Sequence, residues 1–274
     1  MTRILTRTDL LGLLNPLACI QALRKGFSAS AENTVLGQRV RTDLPFPGTA
    51  TALLPGLLPG INAWRTGLAA ALATHLIARP TGNTPHTVGV IGAGAQAELT
   101  IRGMRELRAY DRLVVHDTDP QRAAAFAGKH GGTTVSTPAQ VAAEASTVVL
   151  ATWSREPLLR LEELRPGQHL TSLGADEPGK QELAPDVLAS TRLIVDDVAL
   201  VVSHGALANA GLPASTVAAS LSEIIRGDAP ARTHDLEITT YTPVGLPWQD
   251  LVLAWLAYQQ AEAQEIGVTL DLLS

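Results

Sequence analysis

Apolar positions recur with a helical period at the start of the chain. Residues 7–32 predict two helices, because their apolar side chains return every three or four positions. These apolar positions are Leu17, Ile20, Leu23 and Phe27. The segment 44–62 holds four prolines and several glycines, which favours loop or irregular edge structure. A further helix is predicted from Asn62, a good capping residue, through an alanine-rich stretch to Pro80.

From Thr87 onward the pattern changes to short apolar strands that alternate with helices. The predicted strands are 88–91, 113–115, 147–150, 169–173, 192–195 and 237–241. The predicted helices include 95–107 and 120–130, and a last helix covers 248–265. Apolar runs that alternate with helices indicate a parallel sheet covered on each side. The middle of the chain is therefore predicted to be an α/β domain, inserted in a second unit formed by the two ends.

A glycine-rich turn follows the first strand of this α/β pattern and leads directly into a helix. Gly92 permits the tight turn, Gly94 lets the backbone approach a pyrophosphate, and the small Ala97 allows helix and strand to pack closely. The phosphates would lie on the free N–H groups at the N-terminus of the helix. The cofactor contacts predicted here are Gly92, Gly94, Ala95 and Gln96.

An acidic residue supports the same interpretation. The second strand ends at Asp117, 25 positions after Gly92, where an acid should hold the adenosine ribose hydroxyls. Strand, turn, helix and acid together predict a dinucleotide-binding fold rather than an isolated tight turn. A carboxylate at this place would repel a 2′-phosphate, so NAD is the predicted cofactor. His116, Thr118 and Arg122 lie nearby and keep NADP as the less favoured alternative.

Composition excludes several classes of protein. With 46% hydrophobic and 17% charged residues, the 274-residue chain can bury a core and is too apolar for disorder. The chain has no apolar run as long as the ~18 residues of a membrane span and no signal-peptide core, so we expect a cytoplasmic protein without a membrane partner. The single cysteine, Cys19, excludes a disulfide framework, and the histidine spacing predicts no metal site. The net charge of −5 without a basic cluster predicts no nucleic-acid partner.

Several further motifs, together with the glycine loop, resemble the ornithine cyclodeaminase/mu-crystallin family. They lie along most of residues 1–270 and are Arg41-Thr42-Asp43-Leu44-Pro45, Arg65-Thr66-Gly67, Val115-His116-Asp117, Thr152-Trp153-Ser154-Arg155-Glu156-Pro157, Leu173-Gly174-Ala175-Asp176-Glu177-Pro178-Gly179-Lys180-Gln181-Glu182-Leu183, Val195-Asp196-Asp197 and Val244-Gly245-Leu246-Pro247-Trp248-Gln249-Asp250. The loop from Leu173 is close to the cyclodeaminase version of the family's active-site loop.

The resemblance implies a fold and an assembly. The expected architecture is a Rossmann-type, doubly wound parallel sheet, formed by residues 65–245, inserted in a smaller α+β domain. That smaller domain would bind substrate and dimerise, and it would be discontinuous, comprising 1–64 and 246–274. A homodimer is the expected assembly. The resemblance also implies chemistry at the carbon–nitrogen bond of an amino acid.

The same resemblance implies site residues. Arg41 and Arg65 would bind the substrate carboxylate, and Asp176 would be the catalytic residue that faces the substrate amine near the nicotinamide. Further implied cofactor contacts are Thr118, Thr152, Gly174, Val244 and Gly245. Gly245 either brings backbone near the nicotinamide or only turns the chain. Only 23 residues separate Arg41 from Arg65, fewer than in the family, and the family's G-x-K lysine has no counterpart among them.

The residues themselves leave alternatives. Arg65 is predicted near a helix N-terminus, where its positive charge is unfavourable beside the helix dipole. Either an anion binds between the guanidinium and the helix amides, or the side chain bends away to pair with a carboxylate elsewhere. Asp176 lies in a turn sequence, yet follows a strand at the edge where such sheets bind ligands. There it would hold an ammonium or pass a proton to an imine nitrogen. Asp197 is predicted to cap a helix, Lys180 to be solvated, and Cys19 to be inert packing.

The leading hypothesis is an NAD(H)-dependent oxidoreductase acting on the C–N bond of a small amino or imino acid, of the imine reductase or amino-acid dehydrogenase type. One alternative is an ornithine- or lysine-type cyclodeaminase, an ammonia lyase with tightly bound NAD. The cyclodeaminase-like loop favours this alternative, and the missing lysine counts against it. A third hypothesis is a family member that binds NAD but has lost catalysis.

Overall fold

An eight-stranded parallel sheet lies in the middle of the protein. The computed structural model describes residues 2–29, 61–80 and 85–271. The described residues form ten strands, of which β2 to β9 build this sheet: β1 (Thr2–Ile4), β2 (Thr87–Ile91), β3 (Arg112–His116), β4 (Thr133–Thr134), β5 (Thr147–Leu150), β6 (His169–Ser172), β7 (Arg192–Val195), β8 (Val217–Ser220), β9 (Thr239–Tyr241) and β10 (Val268–Leu270). The sheet has the order β4-β3-β2-β5-β6-β9-β7-β8, and every neighbouring pair is parallel. The predicted α/β class is confirmed.

The described residues form eleven α-helices, several of which cover the two faces of this sheet. They are α1 (Arg7–Leu13), α2 (Pro16–Ala29), α3 (Ile61–Ile77), α4 (Ala95–Leu107), α5 (Pro120–His130), α6 (Pro138–Glu144), α7 (Pro185–Ser190), α8 (Val198–His204), α9 (Ala206–Ala210), α10 (Leu221–Arg226) and α11 (Pro247–Ala263). Val90 of β2 belongs to one buried cluster with Met104 of α4, whereas the next residue, Ile91, belongs to another with Val141 of α6. The alternation explains why each central strand is apolar on both sides.

Strand β9 does not follow chain order, and its position brings three loops together. It lies between β6 and β7, so that Tyr241 is opposite Thr171 on one side and Ile194 on the other. Since all three strands run in the same direction, the segments that follow them leave the sheet at one edge. Asp176, Asp196 and Gly245 lie in those segments.

The two ends of the chain meet. Strand β1 pairs antiparallel with β10, and α2 packs on α11 through an edge-to-face contact between Phe27 and Trp248, with ring centroids 4.9 Å apart. In the part of the chain that the structure describes, no helix has the length and apolar character needed to cross a bilayer.

The start of α3 differs from the sequence prediction. Asn62 lies inside the helix rather than capping it, because the described helix already includes Ile61. The Asn62 side chain instead accepts a hydrogen bond from Thr66 Oγ1 at 3.4 Å. Arg65 therefore lies beyond the first turn, where the helix dipole has little effect on a charge. The dipole argument for an anion at Arg65 was wrong, and the case for this residue depends on the pocket it faces.

Candidate active site

The turn between β2 and α4 borders a groove of about 460 Å³ at the carboxyl edge of the sheet. Gly92 has a φ of +91°, and a Cβ there would lie 2.6 Å from the Ala151 carbonyl oxygen, so the turn requires glycine. Gly94 precedes α4, and among the described residues no side chain caps the first amides of this helix. Ala95 and Gln96 are its first two residues. Their N–H groups can receive an anion that enters the groove.

Asp117 follows β3 on the wall of the same groove. Backbone groups hold its carboxylate: Oδ2 accepts from the Ala93 N–H and Oδ1 from the Asp119 N–H, both at 2.8 Å. Arg122 Nη1 lies 3.6 Å from Oδ1, and Arg122 and Thr118 also line the groove. The carboxylate thus fixes the glycine loop and places a negative charge where a dinucleotide ribose would bind.

Glu182 joins the loops that follow β5 and β6. Its Oε1 accepts hydrogen bonds from the N–H and Oγ1 of Thr152 at 2.6 and 2.8 Å. Its Oε2 accepts from Ser172 Oγ at 2.7 Å and from the Gly174 N–H at 2.8 Å. Burial raises the pKa of the Glu182 carboxyl, and these four bonds oppose the shift. The side chain therefore sets the spacing between Thr152, which lines the groove, and the loop that carries Asp176.

Lys180 connects Asp176 to the groove. Its Nζ lies 3.3 Å from Asp176 Oδ1, 3.2 Å from Glu177 Oε2 and 3.8 Å from the centroid of the Trp153 ring. The lysine is only 9% exposed, so the sequence-based interpretation of Lys180 as solvated was wrong. Two carboxylates and an aromatic face surround its ammonium group. Trp153 itself is 81% exposed and lines the groove.

A second pocket lies between α3, the loop after β6 and the segment after β9. Residues that line it include Arg65, Asp176, Tyr241, Val244, Gly245 and Gln249. The predicted substrate ligand Arg65 and the predicted catalytic residue Asp176 therefore meet in one pocket, although 110 positions separate them in the sequence. Lys180 touches Asp176 on one side and Trp153 on the other, so this pocket adjoins the groove.

The Arg65 guanidinium packs against the backbone of Gly245. Gly245 has a φ of +95°, and any Cβ there would overlap the guanidinium. Arg65 Nε lies 3.5 Å from Asp250 Oδ2, but among the described residues this nitrogen has no hydrogen-bond partner of proper geometry. Gly245 therefore does more than turn the chain, because it makes room for the cation of the pocket.

Asp196, at the end of β7, holds the segment that carries Gly245. Its fully buried carboxylate accepts hydrogen bonds from the N–H groups of Val244, Gly245 and Asp197 at 3.1, 2.6 and 2.9 Å. Burial raises the pKa of Asp196, while these bonds and the charge of Arg65 act in the opposite direction. The neighbouring Asp197 caps α8 by accepting from the Leu200 N–H at 2.9 Å, as predicted.

Sequence analysis and structure differ most at the residues that support the site. Arg41, the other predicted carboxylate ligand, lies outside the described residues. Glu182 and Asp196 were given no function from the sequence, although Asp196 directly follows an apolar strand at the ligand-binding edge. Tyr241 was included in a predicted strand and gave no signal of its position in the pocket.

The charges of the arrangement match those of a small zwitterion or imino acid beside a dinucleotide, and the space between Arg65 and Asp176, about 10 Å³, would have to widen to admit one. A guanidinium is a strong ligand for a carboxylate. A carboxylate paired with an ammonium group, as Asp176 is with Lys180, can hold a substrate nitrogen or exchange a proton with it. The uncapped helix amides and the ribose-side carboxylate are the features that a dinucleotide requires.

Comparison with known proteins gives a consistent result. The family model described as ornithine cyclodeaminase/mu-crystallin family matches residues 47–265. An alanine dehydrogenase of Archaeoglobus fulgidus is 30% identical over 214 residues, which cover 74% of this chain and 64% of that enzyme. An iminosuccinate reductase of Paracoccus denitrificans is 30% identical over 235 residues, which cover 82% of this chain and 72% of the reductase.

A solved structure has the same fold. The dimeric archaeal alanine dehydrogenase with bound NAD superposes with a TM-score of 0.83 at 24% identity, and the alignment covers 99% of both chains. The sequence match to the Archaeoglobus enzyme, by contrast, extends over less than two thirds of that enzyme.

Proposed function

Because this chain belongs to the ornithine cyclodeaminase/mu-crystallin family, we propose that it is an NAD(H)-dependent oxidoreductase acting on the C–N bond of a small amino or imino acid. The observation that carries the proposal is the meeting of Arg65 and Asp176 in one pocket beside the dinucleotide groove. The names of the relatives, an alanine dehydrogenase and an iminosuccinate reductase, describe reactions at this type of bond.

The groove fits a dinucleotide. Gly92 and Gly94 leave the backbone accessible, and the uncapped amides of α4 would bind the pyrophosphate. Asp117 would accept hydrogen bonds from the adenosine ribose, and its charge favours NAD over NADP. Bound NAD(H) supplies or accepts the hydride. NADH should therefore bind more tightly than NADPH, which a fluorescence titration measures; tighter binding of NADPH would contradict this assignment of Asp117.

The pocket would orient the amino or imino acid. The Arg65 guanidinium, which occupies the space that Gly245 leaves open, would bind the carboxylate. Asp176 would hold the substrate nitrogen and exchange a proton with it as the carbon changes oxidation state. Lys180, whose Nζ lies 3.3 Å from Asp176 Oδ1 and over the ring of Trp153, would position the Asp176 carboxylate that accepts the proton or the ammonium hydrogen bond. Arg41 is proposed as a second carboxylate ligand.

NADH oxidation with pyrroline-2-carboxylate and with acyclic imino acids, formed from 2-oxo acids and ammonia, tests the proposal. The expected result is turnover with at least one of them and its loss in Asp176→Asn. Asp186→Asn is the matched control, since Asp186 is exposed at the start of α7 and its backbone contact survives in asparagine. Turnover that persists in Asp176→Asn would refute the catalytic assignment.

A cyclodeaminase is the second candidate, because the loop that carries Asp176 and Lys180 resembles the cyclodeaminase version. Ornithine or lysine is incubated with the protein and catalytic NAD, and ammonia and the cyclic amino acid are measured. Their formation without net NADH would replace the reductase proposal. NAD binding without either activity would instead favour a family member that has lost catalysis.

We also propose a homodimer, with residues 1–64 and 246–274 forming the discontinuous substrate and dimerisation unit. Helix α11 exposes Leu251, Trp255 and Tyr258, which lie on one face at helical spacing. The related archaeal structure is described as a dimer. Light scattering should give twice the chain mass, and Trp255→Glu should give the monomer. A monomeric wild-type protein would contradict the proposal.

A further inference from the structure

The hydroxyl of Tyr241 is buried in the candidate substrate pocket. The residue is 0% exposed, it ends β9, and it lines the same pocket as Arg65 and Asp176. Among the described residues, the Tyr241 hydroxyl has no hydrogen-bond partner. A buried hydroxyl normally finds a partner, because leaving it unpaired costs about 1–3 kcal/mol. The space beside it is about 10 Å³, enough for one water or one ligand oxygen, so either a water or a ligand atom completes this hydroxyl.

The neighbours of Tyr241 show which kind of ligand atom fits. Arg65 Nε, in the same pocket, is paired with Asp250 Oδ2 at 3.5 Å but has no hydrogen bond of proper geometry among the described residues. Burial and the nearby charge of Asp196 raise the pKa of Tyr241 well above its usual value, against the effect of Arg65. The phenol is thus neutral and keeps its proton to donate. A phenol both donates and accepts, but a guanidinium N–H only donates, so a group that satisfies both at once must be an acceptor, which a substrate ammonium or iminium is not.

We propose that the Tyr241 hydroxyl positions the substrate by donating a hydrogen bond to its carboxylate, alongside Arg65. This inference rests on the proposed function, and it specifies how the acid group is recognised. A carboxylate has enough lone pairs to accept from both donors at once. The nitrogen end of the substrate is then directed to Asp176 and Lys180. Tyr241 is thus a neutral donor beside the cationic Arg65.

The test compares Tyr241→Phe with Thr242→Val. Each substitution removes a buried hydroxyl that has no partner among the described residues, but the Thr242 side chain is not part of the pocket lining. Binding of L-proline, L-alanine and L-aspartate to the NADH-saturated protein is measured by calorimetry. The amides prolinamide and alaninamide are measured in parallel, because they keep the amine and lack the carboxylate charge. Thermal unfolding of the ligand-free variants is recorded as well.

The expected result is that Tyr241→Phe weakens binding of the carboxylate ligands by about 10- to 100-fold, as for a hydrogen bond to a charged group. The affinity for the amides should fall less than that for the matching carboxylate ligands, by about two- to tenfold, because a hydrogen bond to a neutral acceptor is weaker than one to a charged acceptor. Thr242→Val should leave both affinities unchanged. The ligand-free Tyr241→Phe protein should be at least as stable as the wild type, since an unpaired hydroxyl contributes nothing to the free protein.

Two results would overturn the inference. One is a Tyr241→Phe protein that is less stable without ligand and binds carboxylates with wild-type affinity, since the hydroxyl would then be structural. The other is a wild-type protein that binds no carboxylate ligand. The proposed function has its own readout, NADH oxidation, so a protein that turns over imino acids and is insensitive to Tyr241→Phe would contradict this inference alone.

Discussion

The carboxylate of Glu182 is predicted to hold together the dinucleotide groove and the substrate pocket. The perturbation is Glu182→Gln, which keeps the shape of the side chain and replaces one acceptor oxygen by an NH₂ group. If the remaining oxygen faces Thr152, both bonds to Thr152 survive. The amide nitrogen then faces the Ser172 hydroxyl, which can rotate to accept, and the Gly174 N–H, which cannot.

The magnitude follows from this inventory of donors. A buried backbone N–H left without an acceptor costs about 1–3 kcal/mol, and the surviving bonds lose the strength of a charged acceptor. Removing a buried charge acts in the opposite direction, which the raised pKa of Glu182 also indicates. We expect a net loss of about 1–3 kcal/mol in the free energy of unfolding. The affinity for NADH should fall by about tenfold as Thr152 and Gly174 move apart.

Urea unfolding and an NADH titration measure the two effects on the same variant. Glu223→Gln is the matched control: this carboxylate accepts from the N–H and Oγ of Ser220 at the cap of α10, away from the groove. It should cost less than about 1 kcal/mol and leave NADH binding unchanged. Wild-type stability and wild-type NADH affinity in Glu182→Gln would refute the reasoning.

Three further predictions concern other buried groups. Burial lowers the pKa of His169 to about 3, below its unfolded value of about 6.5, so the unfolded state takes up the proton first as the pH falls. The free energy of unfolding should therefore fall by ~2 kcal/mol between pH 7 and pH 5 because of this residue. Urea unfolding of His169→Gln should show a smaller fall over the same pH range, and a fall as large as in the wild type would contradict the prediction. Gly245→Ala places a methyl group where the Arg65 guanidinium lies, so the guanidinium must move. The KM for the imino acid should then rise by about tenfold or more, and an unchanged KM would contradict the assignment of Arg65 as a substrate ligand. Cys19 is fully buried, and burial raises the pKa of its thiol to about 12; a disulfide reagent should label it only after unfolding, and labelling of the native protein would show an open helix interface.

The sheet was predictable because its signals are local. The strands 88–91 and 147–150 are continuous apolar runs, and the glycine turn and Asp117 stand at fixed distances from the strand before them. Helices of the α/β domain were predictable where a proline and an acidic capping residue mark the first turn, as Pro120 and Asp119 do for α5.

The supporting contacts of the site were not predictable in the same way, because they join distant parts of the chain. Glu182 bonds to Thr152 across 30 positions, and Asp196 bonds to Gly245 across 49. Lys180 looked solvated since its neighbours in sequence are turn residues, and its burial depends on Trp153 from another loop. Tyr241 reaches the pocket only because β9 lies between β6 and β7.

In the proposed reaction a hydride passes between NAD(H) and the carbon that bears the substrate nitrogen. The protein is incubated with the two stereochemical forms of NADH deuterated at C4 and with the imino acid that it reduces, and the amino acid product is analysed by mass spectrometry and NMR. We expect one deuterium at the α-carbon of the product from one of the two forms, and no transfer with Asp176→Asn. Product without deuterium from either form, or no reduction of any imino acid, would contradict the proposed reaction.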